Sequence, residues 1–185
     1  MGQRFDSGHR GVDAVAPGPV GGETFRHVIG HFASGVAVVT GRDDAGVPVG
    51  VTASAVASVS LEPPMLLVCL NSRLYTCDVL AETGHFGVNI LASGQDALAR
   101  RFAYDPGDRF AGLRILPGRL GSPLLDAALA RLDCRVVSTA EGGTHRVFFA
   151  EVVQAAAGEG APLTYYRGRF GAFEESAGRR ASRGA

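Results

Sequence analysis

Apolar and polar positions alternate with two different periods along the chain, and the change of period marks the elements. Phe25, Val28, Ile29 and Phe32 recur at helical spacing after Thr24, a residue type that caps helices, and predict a helix ending near Gly35. From there the period shortens. Residues 35–40 read as a strand, Asp43 to Gly46 supply turn residues, and residues 47–60 read as one long strand closing a hairpin. Pro63 and Pro64 end it, residues 65–70 form a short buried strand, and Asn71 or Ser72 caps a helix over about 73–82. Residues 86–91 are the next strand, and Ser93 caps a helix carrying Leu98 and Phe102. A Pro/Gly/Asp loop at 105–108 leads to a short strand near 114–116. Two long strands follow at 128–140 and 145–157 around Glu141, Gly142 and Gly143, and strands at 163–166 and 170–173 finish the pattern.

Strands dominate, and their hairpin turns favour antiparallel neighbours. The pattern therefore predicts a mainly β fold, a closed barrel with peripheral helices, over a doubly wound sheet. Residues 1–22 and 175–185 lack periodicity and read as flexible tails around one domain over 23–174. A chain of 185 residues can bury about 70% of its unfolded surface and needs no metal or disulfide to fold.

Composition narrows the function classes. The chain is 46% hydrophobic, yet Gly, Ser, Arg or Asp interrupts every apolar run before bilayer length, so no membrane association is expected. Arg4, Asp6, His9, Arg10 and Asp13 stand where a secretory leader needs an apolar stretch, which points to the cytoplasm. The formal net charge is zero and all 18 basic residues are arginines scattered along the chain, which argues against a nucleic-acid partner. Cys69, Cys77 and Cys134 are odd in number and lie in apolar or helical patterns, as buried thiols do. No Cys/His spacing suggests a metal.

The most informative segment is residues 47–60. Its odd positions are apolar, while Thr52, Ser54, Ser58 and Ser60 fall on even ones, so an extended strand would carry four hydroxyls on one face. Such a face either meets water or lines a polar ligand. No dinucleotide-binding glycine fingerprint, phosphate-binding loop or nucleophile elbow occurs.

The segment GVTASAVASVSLEPPMLLVCL (50–70) resembles the signature of the short-chain flavin reductases that serve two-component monooxygenases. FRHVIGHFASGVAVVT (25–40), HFGVNIL (85–91), RRFA (100–103) and PLTYYRGRFG (162–171) resemble that family too, in the same order. The resemblance implies an FMN-binding split β-barrel that works as a homodimer. It implies hydride transfer from NADH or NADPH to FMN or FAD, with the reduced flavin supplied to a separate monooxygenase. By the same resemblance Thr52, Ala53 and Ser54 would run along the isoalloxazine, and Ser58, Val59 and Ser60 would approach the phosphate. Asn71, Ser72 and Thr76 would add phosphate contacts at a helix start, and Arg101 and Phe102 would lie beside the cofactor. His145 would face the nicotinamide, and Tyr166 and Arg167, with Arg169, would close the site. Leu74 and Tyr75 stand where the family has small hydroxyl residues, and Thr144 stands where it has Asp. The resemblance gives no such role to His9, His27, His31 or His85. Two rival readings are a flavoprotein whose bound flavin reduces another acceptor, and a flavin-binding protein without turnover.

Overall fold

The computed structural model describes residues 18–174. Helix α1 (Gly22–Ile29) precedes β1 (Ser34–Gly35), β2 (Ala37–Arg42), β3 (Pro48–Ala53), β4 (Val56–Leu61) and β5 (Pro64–Asn71). Next come α2 (Tyr75–Thr83), β6 (His85–Ile90), α3 (Asp96–Tyr104), β7 (Ile115–Pro117) and β8 (Pro123–Leu125). The last strands are β9 (Ala130–Gly142), β10 (His145–Ala157), β11 (Leu163–Tyr166) and β12 (Arg169–Ala172). The mainly β class follows the alternation in the sequence. Both tails, 1–22 and 175–185, fall outside the described residues except for 18–22.

Seven strands form one antiparallel sheet in the order β3-β2-β6-β9-β10-β5-β4. The expected barrel is therefore not closed by hydrogen bonds, because β3 and β4 are its two free edges. The expected single strand over 47–60 also breaks. Ser54 and Ala55 belong to neither ladder, and they carry the chain from one edge of the rolled sheet to the other. The Ala55 carbonyl accepts the Cys69 N–H at 3.0 Å and fastens this crossing to β5. Beyond it, β4 has a bulge: Ser58 pairs with Leu66 and Ser60 with Met65, neighbours on opposite faces of β5. The four hydroxyls thus do not share a face.

Two apolar clusters meet across β2. Ala37 and Val39 point into the rolled sheet with Val51, Leu66, Val68, Phe86, Phe148 and the α2 residues Cys77 and Leu80. Val36 and Val38 point the other way, to Leu91, Phe102, Phe110, Leu125 and Leu163. A strand buried on both faces reads as the continuous apolar run seen at 36–39. Gly41 admits Leu80, whose Cδ2 would lie 2.6 Å from a Cβ there.

Strand β8 was not anticipated, since its three residues carry no period of their own. Distant polar groups fix it. Buried Asn89 accepts the Leu125 N–H at 2.7 Å and donates to the Val38 carbonyl at 3.0 Å, while the Thr40 hydroxyl donates to the Pro123 carbonyl. Gly87 leaves room for this approach, because a Cβ there would come within 2.6 Å of Thr40 Oγ1 and 3.0 Å of the Pro123 oxygen.

The expected caps are replaced. Gly21 precedes α1 with no side-chain cap, and Thr24 lies inside the helix, which stops at Ile29 rather than near Gly35. Leu74 precedes α2, while the Asn71 carboxamide oxygen accepts the Arg73 N–H at 3.0 Å in a turn of its own. Gln95 precedes α3, and the Ser93 N–H goes instead to the Ala161 carbonyl.

All three cysteines are free thiols, with Cys77 and Cys134 buried. Burial, and then the neighbouring Asp133, push the Cys134 thiol from 9.0 up to about 12. The folded state thus keeps a proton that the unfolded state releases near pH 9. The sign follows: the stabilisation is complete below pH 9 and drains away between pH 9 and about 12, by about 1.4 kcal/mol per pH unit. Cys134→Ala is expected to lower stability at neutral pH and to flatten this alkaline decline in urea titrations. A decline as steep as in the parent protein would show that Cys134 is not its source.

Candidate functional site

A cleft of about 1090 Å³ opens where the two edges of the rolled sheet approach. One wall is the crossing residues Ser54 and Ala55 and the start of β4, Val56 and Ala57, with Leu67 of β5 behind it. The opposite wall is the end of α1 and the chain leading into β1, including Arg26, His27 and Phe32. Tyr165, Arg167 and Gly168 close the third side. The crossing residues are small, Ser54 and Ala55 are exposed, and a Cβ at Gly35 would meet nothing within 4 Å. A flat ligand can therefore lie against backbone, whose amides outside a ladder are available as donors.

The third side is held in place by the β11–β12 turn. Among the described residues Arg167 is the only non-glycine with positive φ (49°), and it is followed by Gly168 at 80°. Its N–H donates to the Gly30 carbonyl at 3.0 Å and ties the turn to the end of α1. Tyr166 points away from the cleft to His31, edge-on at 6.1 Å, and His31 meets His27 edge-on at 5.1 Å. Tyr165 rather than Tyr166 lines the cleft.

A second group of expected residues gathers at the far end of β5. His145 pairs with Asn71, and the Ser72 N–H donates to the Thr144 carbonyl at 3.0 Å. The Thr144 hydroxyl and His145 Nδ1 share a hydrogen bond of 2.9 Å, so the threonine takes the partner position at that nitrogen. Ser72 Oγ is buried without a hydrogen-bond partner among the described residues. Leu67 and Asn71 lie on the same face of β5, about 13 Å apart along the strand. Phe149, Val147 and His145 lie opposite Leu67, Cys69 and Asn71, forming one continuous track from the cleft to the histidine.

Other expected contacts have different surroundings. Ala53, Thr76 and Phe102 are buried, and Phe102 packs edge-on against Phe110 at 5.0 Å. The Thr52 hydroxyl donates to the Ala99 carbonyl at 2.7 Å and fixes α3 on β3. The Arg101 guanidinium donates to the carbonyls of Asp108 and Ala111 at 3.0 and 2.7 Å, bracing the loop after α3. These five side chains thus pack or brace the scaffold and do not line the cleft. Ser58 and Val59 are exposed on edge strand β4, and Ser60 Oγ accepts the Glu62 N–H at 3.2 Å. Ser54 and Arg167 are the expected residues that the structure brings to the cleft. Arg26 and His27 are additional, and their signal was the polar side of α1, where Glu23, Arg26, His27 and Gly30 recur at helical spacing.

Known proteins share this architecture. Residues 29–174 match the flavin reductase like domain family. The chain is 53% identical over 155 residues to the reductase component of 4-nitrophenol 4-monooxygenase/4-nitrocatechol 2-monooxygenase from Rhodococcus opacus, covering 84% of this chain and 83% of that protein. It is 39% identical over 157 residues to a flavin reductase (NADH) from Kitasatospora aureofaciens, covering 83% and 82%. The structure of the Streptomyces globisporus NADH:FAD oxidoreductase with NAD and FAD fragments matches with a TM-score of 0.78 at 34% identity, covering 84% of this chain and 94% of that one. The fold is that of the split-barrel flavin reductases. The chain belongs to the flavin reductase like family.

The residues present fit a flavin: small side chains along a crossing segment that lies outside the ladders, an apolar cavity wall, and arginines at its rim. Filling the crossing should therefore block binding. Ala55→Leu is expected to weaken FMN and FAD about tenfold, the equivalent of the 1–3 kcal/mol that overpacking costs, with the circular dichroism spectrum unchanged. Unaltered affinity by fluorescence titration would move the flavin elsewhere.

Proposed function

We propose that this protein is an NAD(P)H:flavin oxidoreductase that delivers reduced FMN or FAD to a separate monooxygenase component. The observation that carries the reading is the cleft between the free edges of the sheet, formed by the crossing segment in which the family resemblance is densest. Its relatives from Rhodococcus opacus and Kitasatospora aureofaciens, a monooxygenase reductase component and an NADH flavin reductase, support the partner and the donor.

A bound flavin supplies the hydride acceptor for a nicotinamide ring placed against it. The chain's task is then to bind, orient and exclude water. Ser54 and the backbone at Ala55 hold the ring's polar edge, while Ser58, Val59 and Ser60 continue along β4 toward a phosphate. Val56, Ala57, Leu67 and Phe32 supply the apolar walls. Arg167 sets a cation at the rim, and Tyr166 buttresses α1 through His31. Asn71, Ser72 and His145 form the polar end of the track along β5 and β10. With Nδ1 engaged by Thr144, His145 presents Nε2 to a ligand. Thr52, Ala53, Thr76, Arg101 and Phe102 act behind these groups by holding β3, α2 and α3 in place.

The protein works as a homodimer in this reading. Phe25, Val28 and Ile29 of α1, and Phe32 just after it, are each at least 50% exposed and belong to neither apolar cluster of the described residues. With the outward track of Leu67, Val147 and Phe149, they offer the apolar surface that a second copy would cover. Three free thiols suit the reducing cytoplasm. No helix among the described residues is long and apolar enough to cross a membrane.

The test is NADH and NADPH oxidation by purified protein with FMN, FAD or riboflavin added separately, on material whose mass is measured in solution. The expected result is a dimer showing flavin-dependent oxidation. His145→Asn is expected to raise the KM for the nicotinamide nucleotide about fivefold, the worth of one hydrogen bond, without changing flavin affinity. No oxidation with any pairing would sink the reductase reading, and a monomeric mass would sink the dimer.

A further inference from the structure

The β9–β10 hairpin ends beside the polar end of the β5 track, and its tip has few side chains of its own to hold it. Gly142 and Gly143 form the turn, Gly143 with a φ of 66°, which glycine adopts without strain. His145 stands on the outer face of the tip, engaged by the Thr144 hydroxyl at 2.9 Å. A neutral hydroxyl holds an imidazole less firmly than a carboxylate would, so the orientation of His145 depends on the geometry of the turn. Strand alternation puts Arg146 on the opposite, inner face, which continues into the buried Phe148 and Ala150. Arg146 Nε donates to Glu141 Oε1 at 3.1 Å, and the two residues stand directly across the β9–β10 ladder from each other. On its other side Arg146 pairs with Leu70 of β5, which is buried.

Helix α2 packs into this end of the rolled sheet, where its Cys77 and Leu80 join Leu70 and Phe148 in the inner cluster. The Arg146 guanidinium is within electrostatic reach of that helix. Its proton is held more tightly than usual, first by the Glu141 hydrogen bond and then, against a lowering by desolvation, by Cys77, Glu141 and Asp78. The Arg146 side chain is 28% exposed and that of Glu141 66%, so the cation is the more enclosed member of the pair. A second tie, from the Ser72 N–H to the Thr144 carbonyl, joins the turn to the chain entering α2. We propose that Arg146 is a positioning residue for the nicotinamide half of the reaction: with Glu141 it fixes the hairpin tip, and the tip sets the direction in which His145 meets its ligand. The inference rests on the placement of His145 at the nicotinamide. Arg146 faces away from His145 and acts through the backbone of the turn.

The experiment is a double-mutant cycle on the full chain, read as steady-state oxidation of the preferred nicotinamide nucleotide with added FMN, alongside flavin titrations. Arg146→Gln is expected to raise the KM for that nucleotide about threefold, as the loss of a partly exposed ion pair allows, with kcat and FMN affinity unchanged. On the His145→Asn background the same substitution should add nothing, because a residue acting through His145 has no further effect once that side chain is gone. Glu141→Gln should reproduce the effect, and Arg146→Lys, which keeps the charge, should recover part of it; both keep the test open if the Gln variant folds poorly. Arg135→Gln removes the other ion pair across this hairpin, to Glu151 at 3.4 Å and away from the tip, and should leave the KM as it was. Additive effects of Arg146→Gln and His145→Asn overturn the proposal, as does an equal effect of Arg135→Gln or a fall in kcat and FMN affinity together with the KM change. If His145→Asn raises the KM and Arg146→Gln does not, this inference alone fails. If His145→Asn leaves the KM unchanged, the placement of His145 fails and this inference with it. Absence of flavin-dependent oxidation by the parent protein would sink the reductase reading and both residues' roles.

Discussion

Ala53 and Val56 are three residue steps apart, so their Cα atoms lie within about 11 Å of each other. They nevertheless end and begin strands at opposite edges of a seven-stranded sheet. The sheet must roll until its edges nearly touch, and the only chain joining them there is Ser54 and Ala55. A short bridge across a rolled sheet leaves a gap with backbone on its floor. The cleft is a consequence of that covalent limit, and neighbouring elements serve to fill or cover the rest of the seam.

The two cores explain why the gap stays open. Inside the roll, Val39, Val51, Val68, Phe86 and Phe148 pack from both halves of the sheet, so the edges cannot slide together without overpacking. Outside, Phe102 and Phe110 pack against β2 and β3, and the Asn89 and Thr40 hydrogen bonds hold β8 over the same sheet. β2 is the shared wall. Its rigidity passes to β3 through the ladder and to α3 through the Thr52 hydroxyl.

Most of the strands were legible because a half-buried strand must alternate and β2, buried on both faces, must run apolar. The crossing at Ser54 and Ala55 was not. Alternation continues through it, since the residues on either side are small and face a core in both strands, and the pattern does not record which edge a strand joins. The bulge in β4 similarly moved Ser58 and Ser60 to opposite faces without any change in composition. Strand β8 depends on Asn89 and Thr40, which are distant in sequence. For the candidate site, the segment resemblance led to Ser54 and Arg167, while Thr52, Arg101 and Phe102 proved to be braces and core. Residues near a ligand and residues that hold its walls carry the same motif signal. Arg26 and His27 had no assigned role because α1 shows an apolar stripe first, and its polar side is the one that meets the cleft.

The position of the β9–β10 hairpin has a consequence for the order in which the protein can be made. It lies between β6 and β5, and the two halves of the sheet share no ladder except through it. A nascent chain that has emerged only as far as β8 owns two separate pieces of sheet, each with an unpaired edge and an exposed apolar face. The barrel, its seam and its cleft form together only when the last third of the chain has left the ribosome. Until then those edges are open to pairing with other chains, so the interval between synthesis of β5 and of β10 is when this protein most needs protection.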